Sequence, residues 1–227
     1  MLKIDLVIPS KGRIQKLEAT LNSIFLSARH IPINLYLYFS IQSELDYFYT
    51  SFKNIDEIHL QLLDNYRVPD FWNAHLQKMI ADVLITGNDD IEFFNDTIEK
   101  IIEIFSKDFP DLDGVLGLSQ SNLPKEQALE GAFSVIGTKF ANRFPNRQVF
   151  CPDYHRFRSD YELMQYAKSI GKFKFYRDIK IKHYHPAFGG REDETHRDVR
   201  KYLNIDKNTF QERQMKGWLW GCDFNLM

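Results

Sequence analysis

Val83-Leu84-Ile85-Thr86-Gly87-Asn88-Asp89-Asp90 is the stretch that decides how this 227-residue chain folds. Asp82 to Thr86 reads as a strand, apolar without a break from Val83 to Ile85, and Gly87 ends it. Short unbroken apolar runs bounded by turn residues are typical of strands buried on both faces of a sheet. Two carboxylates follow the turn. The strand therefore carries them to its C-terminal end, which is where open α/β sheets bind ligands.

Outward from this strand, apolar runs alternate with helical periodicities. Ile4 to Ile8 is a second buried run, ended by Pro9 and the polar turn Ser10-Lys11-Gly12-Arg13, and Leu17, Leu21, Ile24 and Phe25 then recur at helical spacing. Ile33 to Phe39 and Ile58 to Leu63 read as strands, with helices expected around Glu44 to Phe52 and over Phe71 to Ile80. Beyond the acidic pair, Phe94, Ile98, Ile101, Ile102 and Phe105 line one face of a helix, and Gly114 to Leu118 returns to strand. This alternation implies βαβ units, a largely parallel sheet and an α/β fold, with residues 1–118 as its nucleotide-binding half.

The rest is less regular. Ala132 to Ile136 reads as a strand, Ser159 to Ile170 as a helix closed by Gly171, and Phe173 to His185 as one or two strands. From Pro186 onward charges cluster, and Lys201 to Met227 reads as a helix or a tail that packs only partly. With no repeat or linker, residues 1–227 are expected to form one domain, 119–200 being its second half.

Composition narrows the function. Hydrophobic residues at 44% and charged residues at 26% are ordinary for a globular chain, and 15% aromatics favour a filled core or an aromatic-lined cleft. A formal charge of -2 lacks the electrostatic footprint of a nucleic-acid binder. No run approaches the ~18 apolar residues of a spanning helix, which leaves peripheral membrane association open. Asp5 interrupts what would be the apolar core of a secretory leader. Cys151 and Cys222 lack C-x-x-C spacing, so reduced thiols in a cytoplasmic protein are expected.

Three constellations carry chemistry. Adjacent carboxylates such as Asp89 and Asp90 repel, and a hard divalent cation, Mg²⁺ or Mn²⁺, relieves the repulsion while bridging to a diphosphate. The plainer reading is a solvated turn that caps the helix expected near Phe94 or Asn95. Ser159, Asp160 and Glu162 open a helix with capping-box spacing, which places Asp160 favourably in its first turn. On a strand, His183 and His185 share a face, and two imidazoles so spaced can converge on one ion or on phosphate.

The order of these pieces resembles family 2 glycosyltransferases of the GT-A fold. Ile4-Asp5-Leu6-Val7-Ile8-Pro9-Ser10-Lys11-Gly12-Arg13 is similar to the family's first strand and turn, which run into the nucleotide pocket. Phe71-Trp72-Asn73-Ala74 and then Ala81 to Asp90 look like its helix, strand and acidic metal-binding motif. The resemblance implies a Rossmann-like, mostly parallel sheet flanked by helices, and sugar transfer from a nucleotide-sugar donor, UDP- or GDP-linked, to a glycan or other hydroxyl acceptor. It implies Asp90 as a ligand of Mn²⁺ or Mg²⁺, Asp89 for ribose or metal, and Asp160 as the base of an inverting reaction. A late histidine of the family binds the metal, which points to His183, with His185 close behind. Pro9, Ser10, Lys11, Arg13 and Asn73 would meet the nucleotide. The second strand ends Phe39-Ser40-Ile41-Gln42 without the family's acidic residues, leaving Asp64 as a weak substitute and the nucleobase unassigned. A nucleotidyltransferase, a metal-dependent hydrolase and a non-catalytic nucleotide- or carbohydrate-binding module are the rival readings. Asp193-Glu194-Thr195-His196, with Asp206, Phe210 and Arg213, reads as a lid over the donor or as a solvated tail.

Overall fold

The computed structural model describes residues 2–63, 67–121, 130–186 and 189–222; Asp64 lies outside them. The first strands are β1 (Ile4–Ser10), β2 (Ile33–Phe39), β3 (Ile58–Leu62) and β4 (Val83–Thr86), joined through α1 (Ile14–Ala28), α2 (Gln42–Phe52) and α3 (Val68–Lys78). A short β5 (Ile91–Phe93) precedes α4 (Thr97–Asp108), and β6 (Val115–Gln120) and β7 (Ser134–Gly137) follow. A one-turn α5 (Thr138–Ala141), α6 (Ser159–Ser169), β8 (Phe173–His183), α7 (Glu194–Val199) and α8 (Tyr202–Met215) complete the chain.

All eight strands form one sheet in the order β3-β2-β1-β4-β7-β6-β8-β5. The first four are mutually parallel, β7 is antiparallel to both neighbours, and β5 is antiparallel to β8. The apolar runs explain this arrangement. Ile4, Leu6 and Ile8 of β1 join one core with Val83 and Ile85 of β4, under α1 and α4. The alternate residues Val7 and Leu84 join a second core on the other face, with Phe71 and Trp72 of α3 and Leu163 of α6. Apolar residues thus point to both faces of each strand because each face is covered, and full burial of such a side chain contributes roughly 1.5–3 kcal/mol.

Several expectations need correction. The acidic pair does not cap a helix near Phe94 or Asn95: β5 intervenes, Phe94 is exposed, and the cap position of α4 is Asp96. Phe25, expected on the inward face of its helix, is exposed, and the helix expected to reach Ile80 ends at Lys78. Ser159 and Glu162 form no capping box; the cap position of α6 is Arg158, in the left-handed region at φ 78°. The charged C-terminal segment is no loose tail, since Thr195, His196, Asp206 and Arg213 are all buried. Cys151 is a free, buried thiol.

Candidate active site

β1 extends three residues beyond its register with the end of β4, so Ser10 lies over the turn that carries Asp89 and Asp90. Both carboxylates are buried. Two neighbouring buried carboxylates require compensating charge, and Arg13 supplies it. Its Nη1 donates to Asp89 Oδ1 at 2.9 Å and to Asp90 Oδ2 at 3.2 Å, and Ser10 Oγ donates to Asp89 Oδ2 at 3.0 Å. Gly12, at φ 70°, provides the left-handed turn between Lys11 and Arg13 that a side chain would resist.

Strand pairing brings the first histidine in. β5 pairs with β8 so that Ile91 faces His183, and Tyr184 N donates to Asp90 O at 2.8 Å. His183 Nε2 therefore stands 3.3 Å from Asp90 Oδ1, an oxygen that receives no well-aligned hydrogen bond. Gln120 Oε1 lies 3.0 Å from His183 Nδ1. Both ring nitrogens thus face an oxygen, a placement in which a second-shell partner orients a metal-binding histidine. An imidazole nitrogen and a carboxylate oxygen 3.3 Å apart can share a proton or a cation between them. His185 lies beside both His183 and His196, with ring centres 5.4 and 5.0 Å away, and burial pushes its pKa down to about 4.

α7 closes the other side. Asp193 accepts from Arg13 Nη2 at 3.2 Å and from Lys16 Nζ at 2.6 Å, and Thr195 Oγ1 donates to the carbonyl of Lys11 at 2.7 Å. His196 Nε2 lies 2.8 Å from Arg13 Nη2 and 3.5 Å from Asp90 Oδ2. The acid pair is thereby split. Burial raises the pKa of Asp89 in spite of Arg13, whereas His183, His196 and Arg13 together overcome burial at Asp90 and hold it well below the usual carboxylate range.

Two cavities meet at this pair. The smaller, about 230 Å³, is lined by Pro9, Ser10, Lys11, Arg13 and Asp89 among others. The larger, about 730 Å³, is lined by Asp90, Asp160, His183 and His185, with Trp72 and Phe133 as aromatic walls. Asp160 Oδ1 accepts from Tyr161 N at 2.9 Å, and desolvation pushes its pKa up to about 6 against the nearby charge of Arg158.

Asn73 stands apart from both cavities. Its amide is spent on the backbone of Phe150, donating to the carbonyl at 2.7 Å and accepting from the N–H at 2.9 Å, so it pins a loop. The sequence reading gave no site role to Gln120 or Arg156, and named His196 only within a lid over the donor or a solvated tail. Asp193 and His196 have capping spacing, and Asp193 does accept from His196 N, but no pattern in the sequence ties that turn to Arg13. Arg156 looks no different in sequence from its neighbour Arg158.

The chain matches no protein-family profile and no curated protein sequence. Solved structures do resemble it. S. aureus TarS residues 1–349 superpose with a TM-score of 0.61 at 12% identity, over 78% of this chain and 58% of that one. The mannosyltransferase PcManGT from Pyrobaculum calidifontis, in complex with GDP-Man and Mn²⁺, gives 0.62 at 11% identity, over 80% and 56%. A longer TarS structure gives 0.63 at 10% identity, over 89% and 43%. The chain thus spans little more than half the length of these structures, or less. At these identities the likeness establishes architecture, and that architecture is the GT-A fold of glycosyltransferases.

Proposed function

We propose that this chain is a glycosyltransferase that moves a sugar from a UDP- or GDP-linked donor to a hydroxyl of a glycan or other acceptor. One observation carries the reading: adjacent carboxylates face two cavities that meet, Asp89 the smaller and Asp90 the larger. A transferase needs a nucleotide pocket, a separate space for sugar and acceptor, and the breaking bond between them. The shared fold with a mannosyltransferase solved with GDP-Man and Mn²⁺ supports it.

The donor set suits Mn²⁺ or Mg²⁺. Asp90 and His183 offer an oxygen and a nitrogen, with Asp89 and His185 beside them. Among the described residues no three His, Cys, Asp or Glu side chains form a metal cage. A cation here would complete its shell with donor phosphates and water, as Mg²⁺ commonly does at nucleotide sites. Bound there, it would supply positive charge to the departing diphosphate.

The chain's own residues do the rest. Pro9, Ser10 and Lys11 line the nucleotide side, Asp89 takes the ribose or the cation, and Arg13 keeps the acid pair in place. Asp160 accepts the proton of the acceptor hydroxyl as that oxygen bonds to the anomeric carbon. The bond from that carbon to the diphosphate breaks, its electron pair leaves with the nucleoside diphosphate, and the configuration inverts. NMR of the product reads this directly, and retained configuration would remove Asp160 from the role. No helix among the described residues is long and apolar enough to cross a membrane, and the free Cys151 suits a reducing cytoplasm.

A thermal-shift screen tests the donor site. UDP, GDP, CDP and dTDP are each added with Mn²⁺ or with EDTA, to the wild type and to Asp90→Ala. One nucleotide should raise the melting temperature only with Mn²⁺ and only in the wild type, by the equivalent of ~2.7 kcal/mol at a hundredfold excess over Kd. A folded protein that responds to none of them has no donor site, and the reading fails. Sugar release at an undiminished rate without an acceptor would favour the hydrolase instead.

A further inference from the structure

Val68, Asn88 and Arg156 line both cavities, and of the three only Arg156 is charged. Its backbone is fixed from α8. Asp206, wholly buried, accepts from His155 N at 2.9 Å, Arg156 N at 2.8 Å and Phe157 N at 2.7 Å. A carboxylate that holds three successive amides leaves the loop little freedom, and so sets where the Arg156 side chain starts.

The guanidinium itself differs from others in the protein. Arg13, Arg67, Arg143 and Arg213 each pair with a carboxylate. The side chain of Arg156 makes no hydrogen bond or ion pair with a described residue, although Asp89, Asp90 and Asp193 are near enough to act on its charge. A half-buried guanidinium without a partner is costly, and its planar fork matches phosphate oxygens. In a donor that spans both cavities, the diphosphate is the part that crosses between them.

We propose that Arg156 binds the diphosphate of the donor and that Asp206 is its positioning residue, so that α8 forms part of the donor site. The inference rests on the glycosyl-transfer reading above. Calorimetry on the full chain with Mn²⁺ tests it, using UDP, UMP and uridine and the matching guanosine series. Arg156→Gln should weaken the diphosphate about 10- to 100-fold, as expected for a lost charge-assisted contact, and leave nucleoside affinity within about twofold. Arg156→Lys should recover part of the loss. Asp206→Asn should weaken the diphosphate several-fold, and add nothing in a protein that already carries Arg156→Gln.

A wild type that binds UDP or GDP while Arg156→Gln binds it equally well overturns the assignment and leaves the transfer reading standing. An equal loss of nucleoside and diphosphate also overturns it, because it marks a purely structural role. A folded wild type that binds no nucleotide at all removes the transfer reading and this inference together. Should Asp206→Asn fail to fold, the two Arg156 variants decide the diphosphate contact alone.

Discussion

Glu162 and Asp206 are as deeply buried as Asp89 and Asp90, at 2% and 0% exposure against 4% and 3%, but their oxygens are occupied differently. Glu162 accepts from Arg213 Nε and Nη2 at 3.1 and 2.9 Å, from Tyr154 Oη at 2.7 Å and from Trp220 N at 2.8 Å. Asp206 is filled by three backbone amides. Neither lines either of the two cavities at the acid pair. Asp89 and Asp90 instead share one guanidinium, border open space, and leave Asp90 Oδ1 without an aligned donor. A saturated carboxylate contributes to the fold, whereas an unsaturated one at a cavity keeps its capacity for a ligand.

The largest effect should come from breaking the saturated centre. Arg213→Met leaves Glu162 buried without its counter-charge, and loss of one partner of a buried pair costs about 3–5 kcal/mol. In a protein of this size that lowers Tm by about 6–20 °C, read by calorimetry. A shift of only a degree or two would mean that water reaches Glu162 and that the two centres differ less than their contacts imply.

This contrast also explains what was legible in the sequence. Ile4–Ile8, Ile33–Phe39 and Asp82–Thr86 were readable as strands because an apolar run reports burial on two faces. The same logic failed at α8, where Asp206 and Arg213 are buried through polar partners, which a count of apolar residues scores as exposure. β5 is three residues long, too short for any period to register. Within the site, Asp89 and Asp90 could be expected at the sheet's C-terminal edge. Their contact with His183 follows from the pairing of β5 with β8. Asp193 meets Arg13 from 180 residues away, a contact no local pattern encodes.

The unsaturated centre should fail in the opposite manner. Asp90→Ala is expected to lower kcat/KM by about 10²–10³-fold, the usual scale for losing one preorganised electrostatic group. Its Tm should stay within a few degrees, because Arg13 keeps Asp89 and Asp193 as partners. A large fall in Tm would show that Asp90 serves the fold as Glu162 does, and the distinction would collapse.

Asp160 lies between the two cases, at a cavity wall yet desolvated, and pH separates its effects. Its folded pKa of about 6 exceeds the ordinary carboxyl value of about 3.9. Between these values the folded state holds a proton that the unfolded state releases. Stability therefore falls as pH rises from about 4 to 6 and is level above that, by up to about 3 kcal/mol in all. Activity should run the other way, with kcat/KM dropping below pH about 6 as the base becomes protonated. Asp160→Asn should flatten the stability change and cut transfer to a small residual rate. An acid limb that persists in residual Asp160→Asn activity would assign it to another group.

The smallest effect concerns one carboxylate with two partners. Asp193 pairs with Arg13, whose side chain is 3% exposed, and with Lys16, whose side chain is 30% exposed. Exposed pairs contribute less than about 1 kcal/mol and weaken with salt, because water and counter-ions screen them. Lys16→Ala should therefore cost less than that in urea unfolding, lose most of its effect in high NaCl, and leave kcat unchanged. Both lysine and arginine touch the same Asp193, so distance cannot separate them, and only burial can. A Lys16→Ala penalty as large as that of Arg213→Met, undiminished by salt, would mean that the rim of α7 is held as firmly as the interior.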